Sequence, residues 1–214
     1  MTGSREIMEG EAGQNRLIVG ITGASGTMYG VRLLQMLQET NIESHLIFSK
    51  WGARTLIHET SYTLDQVQQM ATHFYPSHDQ GAPVSSGSFL TRGMVVCPCS
   101  VRTLAAIAHG YGDNLIHRAA DVVLKERRKL VLVVRETPLS EVHLENMLKL
   151  SRMGAVIFPP VPAFYHHPQT IESIVEQTAM RVLDQLGIHL SSRKRWDGEM
   201  SVQGIPSENL QKIK

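Results

Sequence analysis

Apolar residues along this chain fall into short runs that alternate with longer amphipathic stretches. Runs at 16–22, 44–49, 93–98, 129–135 and 155–159 are rich in Val, Ile and Leu with few polar interruptions, the pattern of strands buried on both faces. Between them, stretches at 28–39, 64–74, 100–108, 140–153 and 170–186 repeat apolar residues three and four apart, the period of a helix with one buried stripe. This alternation predicts a parallel sheet covered by helices on both sides. Ser140 is placed to start a helix that Gly154 closes, and Thr170 to start one that Gly187 closes. The polar segment from Ser77 to Ser88 reads as a loop over the sheet edge.

With 214 residues the chain is long enough for one substantial core, and a single domain over 16–190 is expected, flanked by tails at 1–15 and 191–214. Lys and Arg number 21 against 20 Asp and Glu, so no broad basic field for nucleic acid is present. No apolar run approaches the roughly 18 residues of a membrane span. Glu6, Glu9 and Glu11 argue against a signal or transit peptide, and two cysteines are too few for a secreted disulfide framework. A cytoplasmic protein fits these totals.

In a parallel sheet, ligands collect beyond the carboxyl ends of the strands. There the first strand delivers Gly23-Ala24-Ser25-Gly26, a small-residue turn opening a helix, of the type whose free N–H groups hold a phosphate. Ser25 stands where a dinucleotide fingerprint needs glycine, and no Gly-Lys-Ser/Thr follows, so dinucleotide and triphosphate loops are both excluded. The later strands deliver Ser49, then Cys97-Pro98-Cys99-Ser100, then Arg135-Glu136, and then Pro159 to Tyr165.

Other residues carry candidate chemistry. Arg118 and Lys125 lie seven apart and would share a helical face, within reach of one phosphate or of solvent alone. Arg181 falls beside the buried stripe of the last helix, where a cation needs an anionic partner, either a protein carboxylate or a ligand phosphate. Glu136 in a dry pocket would exchange a proton near neutrality. Cys97 and Cys99, one residue apart, match no zinc spacing with His109 or His117 and read as buried thiols, while His166-His167 lacks metal partners at recognisable spacing.

Eight blocks in order then resemble one family. They are Thr-Gly-Ala-Ser-Gly-x-x-x-Gly at 22–30, Ser-Lys at 49–50, Ser-Ser-Gly-Ser at 85–88, Cys-Pro-Cys-Ser at 97–100, Arg-Ala-Ala-Asp-Val-Val-Leu-Lys-Glu at 118–126, Arg-Glu-Thr-Pro-Leu at 135–139, His-Leu-Glu-Asn-Met at 143–147 and Pro-Pro-Val-Pro-Ala-Phe-Tyr at 159–165. Together they closely resemble the UbiX-type flavin prenyltransferases, over about residues 16–197.

The resemblance implies a three-layer α/β/α Rossmann-like (flavodoxin-like) fold and flavin mononucleotide (FMN). It also implies metal-independent transfer of a dimethylallyl group from dimethylallyl phosphate to N5 and then C6 of reduced FMN. Prenylated FMN would pass to a UbiD-type decarboxylase, and the protein would be a homo-oligomer, commonly a dodecamer. By motif, Gly23, Ala24, Ser25, Ser49, Ser100, Val101, Arg102, Thr103, Arg118 and Arg135 would hold the flavin. Ser86, Gly87, Lys125, Arg135, Tyr165 and Arg181 would grip the dimethylallyl phosphate. Glu136 would handle protons, with Ser25, Lys125, Glu59 and Trp196 completing the catalytic set at a site shared between subunits. A flavin-dependent cysteine decarboxylase of the same superfamily is the nearest rival, but its asparagine motifs are replaced here by Pro98-Cys99-Ser100-Val101-Arg102-Thr103 and Val134-Arg135-Glu136-Thr137. A non-catalytic flavin carrier is the rival of a different class, and it would not depend on Arg181, Lys125 or Glu136.

Overall fold

The computed structural model describes residue 13 and residues 15–190. Six parallel strands form one sheet: β1 (Arg16–Ile21), β2 (Glu43–Phe48), β3 (His73–Pro76), β4 (Gly93–Cys99), β5 (Lys129–Val134) and β6 (Val156–Ile157). Their spatial order is β3-β2-β1-β4-β5-β6, so the chain reverses direction of travel between β1 and β4. Such a reversal opens a crevice at the carboxyl edge, because the connections leaving the two central strands go to opposite faces.

Seven helices are described: α1 (Thr27–Gln38), α2 (Lys50–Glu59), α3 (Leu64–Gln69), α4 (Val101–Ala108), α5 (Leu115–Lys125), α6 (Glu141–Arg152) and α7 (Ile171–Gln185). Strand residues alternate between two cores, since successive side chains point to opposite faces. Leu17, Val19, Ile21 and Val95 pack with α1 and α7 on one face. Ile18, Met94, Val96 and Leu132 pack with α4, α5 and α6 on the other. The three layers follow directly from that parity. On the first face α1 lies close against β4, for a Cβ on Gly30 would come within 2.4 Å of the Cys97 carbonyl oxygen. Only glycine allows that approach.

The expected five strands are present, and beyond the expected stretches the structure adds α5, which carries the helical face of Arg118 and Lys125, and two elements that the pattern hides. The stretch expected to be helical over 64–74 stops at Gln69, and β3 follows at the sheet edge, paired His45↔His73 through Phe48↔Pro76. Without β3 the order would be the flavodoxin one; with it, the order is the one found in dinucleotide-binding folds. The second hidden element is α2, where only Gly52 and Leu56 are buried, too few to leave a stripe in the sequence. The predicted caps are in place. Ser140 accepts a hydrogen bond from the His143 N–H and Thr170 from the Ser173 N–H, while Gly154 and Gly187 have φ of 97° and 69°.

Candidate active site

Two helix starts converge at the crevice. Ser49 caps α2, accepting from the Gly52 N–H at 2.9 Å, and Ser100 caps α4, accepting from the Thr103 N–H at 3.3 Å. Both caps line one cavity of about 340 Å³, together with Thr22, Gly23, Lys50, Arg102 and His117. Thr22 ties the two central strands across it, its hydroxyl donating to the Pro98 carbonyl at 2.7 Å and accepting from the Ser100 N–H at 2.9 Å. Gly23 keeps the floor open, since a Cβ there would lie 2.5 Å from Cβ of Trp51. Helix N–H groups, hydroxyls, a lysine and an arginine around a bare backbone turn make a donor set that fits a mononucleotide phosphate.

In the turn at 23–26 Gly23 lines the cavity, while the N–H groups at its far end are engaged within the chain. The Gly26 N–H and Thr27 N–H donate to Oε2 of Glu59 at 2.8 and 3.0 Å, and the Thr27 hydroxyl donates to the same oxygen at 3.1 Å. A carboxylate from the far end of α2 therefore occupies the start of α1, which leaves the starts of α2 and α4 as the helix N-termini at the cavity. Ser25 also hydrogen bonds to Glu59, which brings two of the predicted catalytic residues together.

Burial opposes the charge on Glu59, but the bonds from Ser25, Gly26 and Thr27 outweigh it and hold the carboxyl below its ordinary value of 4.5. The ionised form is thus favoured by folding. Its contribution is complete above the unfolded-state value and is lost as pH falls through the depressed one. Glu59→Gln is expected to lower stability at neutral pH by about 1 kcal/mol or less, since the group is exposed and screened. Urea unfolding should show the difference between variant and parent vanishing below the carboxylate range.

The opposite wall holds Asp113 and Asn114, which the sequence reading passed over, with His117, weighed there only as a zinc ligand. His117 is 4% exposed, with Nδ1 2.7 Å from an oxygen of Asp113, which in turn lies 3.5 Å from Arg102. Burial lowers the His117 pKa and Asp113 raises it, leaving the imidazole below its ordinary value. Asn114 gave the available signal. It precedes the apolar stripe of α5 and caps it, accepting from the His117 N–H at 3.1 Å, so reading it as a helix start would have aimed His117 at the crevice.

At the end of β5, the Arg135 N–H donates to the Cys99 carbonyl at 3.1 Å, which sets Arg135 and Glu136 beside the start of α4. Glu136 is half-buried, its Oε1 accepting from the Thr137 N–H at 3.1 Å. Cys97 and Cys99 are wholly buried, and burial pushes both thiols well above the ordinary thiol range, Cys99 adding to the effect on Cys97. They are protonated packing residues.

The predicted phosphate-gripping residues do not all meet within one chain. Arg118 donates from Nε to the Ser85 carbonyl at 3.1 Å and pairs with Asp121, and a Cβ on Gly87 would lie 2.9 Å from Nζ of Lys125. Ser86, Gly87, Arg118 and Lys125 thus share the outer surface of α5. Helix α5 begins at the cavity and is about 16 Å long at about 1.5 Å per residue, so Lys125, its last residue, lies toward the amino edge of the sheet. Tyr165 is half-exposed and packs on the His166 ring.

Arg181 is on the other layer, near the end of α7, and that end is tied to the amino edge by Arg92 donating to the Leu186 carbonyl at 3.2 Å. Of its two expected partners the structure shows the protein carboxylate, with Nη1 2.8 Å from the buried side chain of Asp184. Trp196 lies outside the described residues, as do the tails apart from residues 13 and 15.

A phosphate-holding cavity at the switch point of a parallel sheet defines a nucleotide-binding α/β protein, and the class can be named more closely. Residues 5–183 match the family described as Flavoprotein. Flavin prenyltransferase UbiX of Escherichia coli (strain K12) is 55% identical over 186 residues, covering 86% of this chain and 98% of that protein. The crystal structure of AnUbiX (PadA1) in complex with FMN and dimethylallyl pyrophosphate superposes with a TM-score of 0.85 at 50% identity, covering 87% of this chain and 99% of that one. A dodecameric FMN-dependent UbiX-like decarboxylase from Escherichia coli O157:H7 gives 0.83 at 55% identity, with 86% and 100% covered. The chain belongs to the flavoprotein family, among its UbiX-type flavin prenyltransferases.

Proposed function

We propose that this protein transfers a dimethylallyl group from dimethylallyl phosphate to reduced FMN and releases prenylated FMN to a UbiD-type decarboxylase. The observation that carries the flavin half of this reading is the convergence of the α2 and α4 starts, with Lys50 and Arg102, on the cavity beside Gly23. Reduced FMN supplies the nucleophilic ring atoms. The protein supplies a phosphate clamp at Ser49, Ser100 and Thr103, and Arg135 and Glu136 at the neighbouring strand end.

Departure of an allylic phosphate leaves an anion, which fixed cations and donors stabilise without reorganising. Arg135 is the cation this chain brings to its own strand end. Lys125 and Arg181 sit on opposite layers toward the amino edge, so their gripping role requires other copies of the chain. We accordingly place the complete site between subunits of a homo-oligomer, a dodecamer as in the UbiX-like relative. The exposed apolar residues Val142, Leu144, Leu148, Val161, Phe164 and Ile171 provide surface for such association. Within this assembly Glu136 exchanges the proton, acting on the flavin ring or on the leaving phosphate.

No helix among the described residues is long and apolar enough to cross a membrane, and the free thiols suit a reducing cytoplasm. The handover is tested by adding the filtered product of the anaerobic reaction to a cofactor-free UbiD-type enzyme. Decarboxylation should appear with the full reaction mixture, and its failure to exceed that with FMN alone would contradict the assignment.

A further inference from the structure

At the opposite edge of the sheet from the flavin cavity, Glu43 and His45 lie two apart on β2 and His73 is the register partner of His45 on β3. Side chains two apart on a strand, and those in register on its parallel neighbour, share one face. One ligating atom from each of the three lies within 4.8 Å of the others. His45 is 2% exposed, and its Nδ1 is 3.1 Å from the Tyr75 hydroxyl. Nε2 is buried and without a hydrogen-bond partner, 3.9 Å from Oε2 of Glu43, and in the tautomer that donates Nδ1–H to the hydroxyl its lone pair is left over. The His73 ring stacks on that of His45 with centroids 4.7 Å apart, and an orphaned buried nitrogen beside a carboxylate asks for a cation.

We propose that Glu43, His45 and His73 form a binding site for a divalent transition metal of the zinc class, which staples the edge strand β3 to β2. Two imidazoles and a carboxylate are a donor set for such ions, with the fourth position left to water. Tyr75 orients the His45 ring as an outer partner does in metal sites. Ligands around zinc stand about 3.4 Å apart when bonds are about 2.1 Å, so binding draws half-exposed Glu43 and exposed His73, turned out of its stack on His45, toward the buried His45 nitrogen. Arg16, now 3.1 Å from Oε2 of Glu43, is the cation that the metal displaces from that oxygen.

Cobalt(II) titration of the full-length protein, followed by its visible absorption, tests this, with thermal unfolding in zinc as the second readout. The wild type should take up one equivalent with the intense bands of four-coordinate cobalt, and zinc should raise its Tm. His73→Ala, at an exposed position, and the isosteric Glu43→Gln should each weaken binding at least about tenfold and lose the Tm shift. A His166→Ala/His167→Ala variant should bind as the wild type does. Absence of a one-equivalent site, or binding unchanged in both His73→Ala and Glu43→Gln, overturns the proposal.

Discussion

Arg181→Ala and Glu136→Gln, each nearly inactive when expressed alone, should regain activity when the two variants are co-expressed. Removing a cation that steadies a leaving phosphate is expected to slow turnover by about 10²–10³-fold. The structure places Arg181 on the layer of α7, toward the amino edge, and Glu136 at the carboxyl end of β5. We therefore propose that a phosphate near Glu136 of one copy is met by Arg181 of another. Random mixing of two single-defect chains then leaves about a quarter of the shared sites with both groups intact. Activity near that fraction, measured on purified mixed oligomers by flavin product formed per site, is the expected result. If both residues acted within one chain, every site would keep one defect and mixing would restore nothing.

The second large effect is that of Glu136→Gln itself. The amide keeps the size of the side chain and an oxygen able to accept from the Thr137 N–H, while losing the capacity to take up or release a proton. Single-turnover rates should fall by about 10²–10⁴-fold, the usual contribution of a positioned acid or base. FMN affinity, followed by quenching of flavin fluorescence, should stay within about twofold, because the proposed phosphate clamp at Ser49, Ser100 and Thr103 is untouched. Unaltered single-turnover rates would remove Glu136 from the mechanism.

The central architecture was legible because buried parallel strands write themselves as continuous apolar runs, and because Ser140, Thr170, Gly154 and Gly187 mark helix ends by local chemistry. Strand β3 was not legible, since four residues ending in Pro76 are too few to establish a period and gain their conformation from pairing with β2. Helix α2 was hidden for a related reason, as only two of its ten residues are buried. That omission carried over to the site. With α2 unseen, nothing in Gly23-Ala24-Ser25-Gly26 reveals that Glu59 fills the N–H groups of the turn, a contact 33 residues away along the chain. Ser49 and Ser100 were found as members of motifs, and the structure gives their reason in the two helix starts they cap. Arg181 shows the opposite limit. Periodicity located it correctly beside a buried stripe, yet the choice between Asp184 and a ligand phosphate depends on which edge of the sheet its helix ends at, and in the oligomer on a neighbouring chain.

The most direct test of the account is the mass of the flavin itself. Purified protein is incubated without oxygen with reduced FMN and dimethylallyl phosphate, or in a parallel arm the diphosphate, and the flavin is extracted and weighed by mass spectrometry. A gain of one C5H8 unit, dependent on the protein and strongly reduced in Glu136→Gln, is the predicted result. An unchanged flavin mass, with binding of both ligands confirmed, would contradict the assignment of this cavity and its neighbours as a prenyl-transfer site.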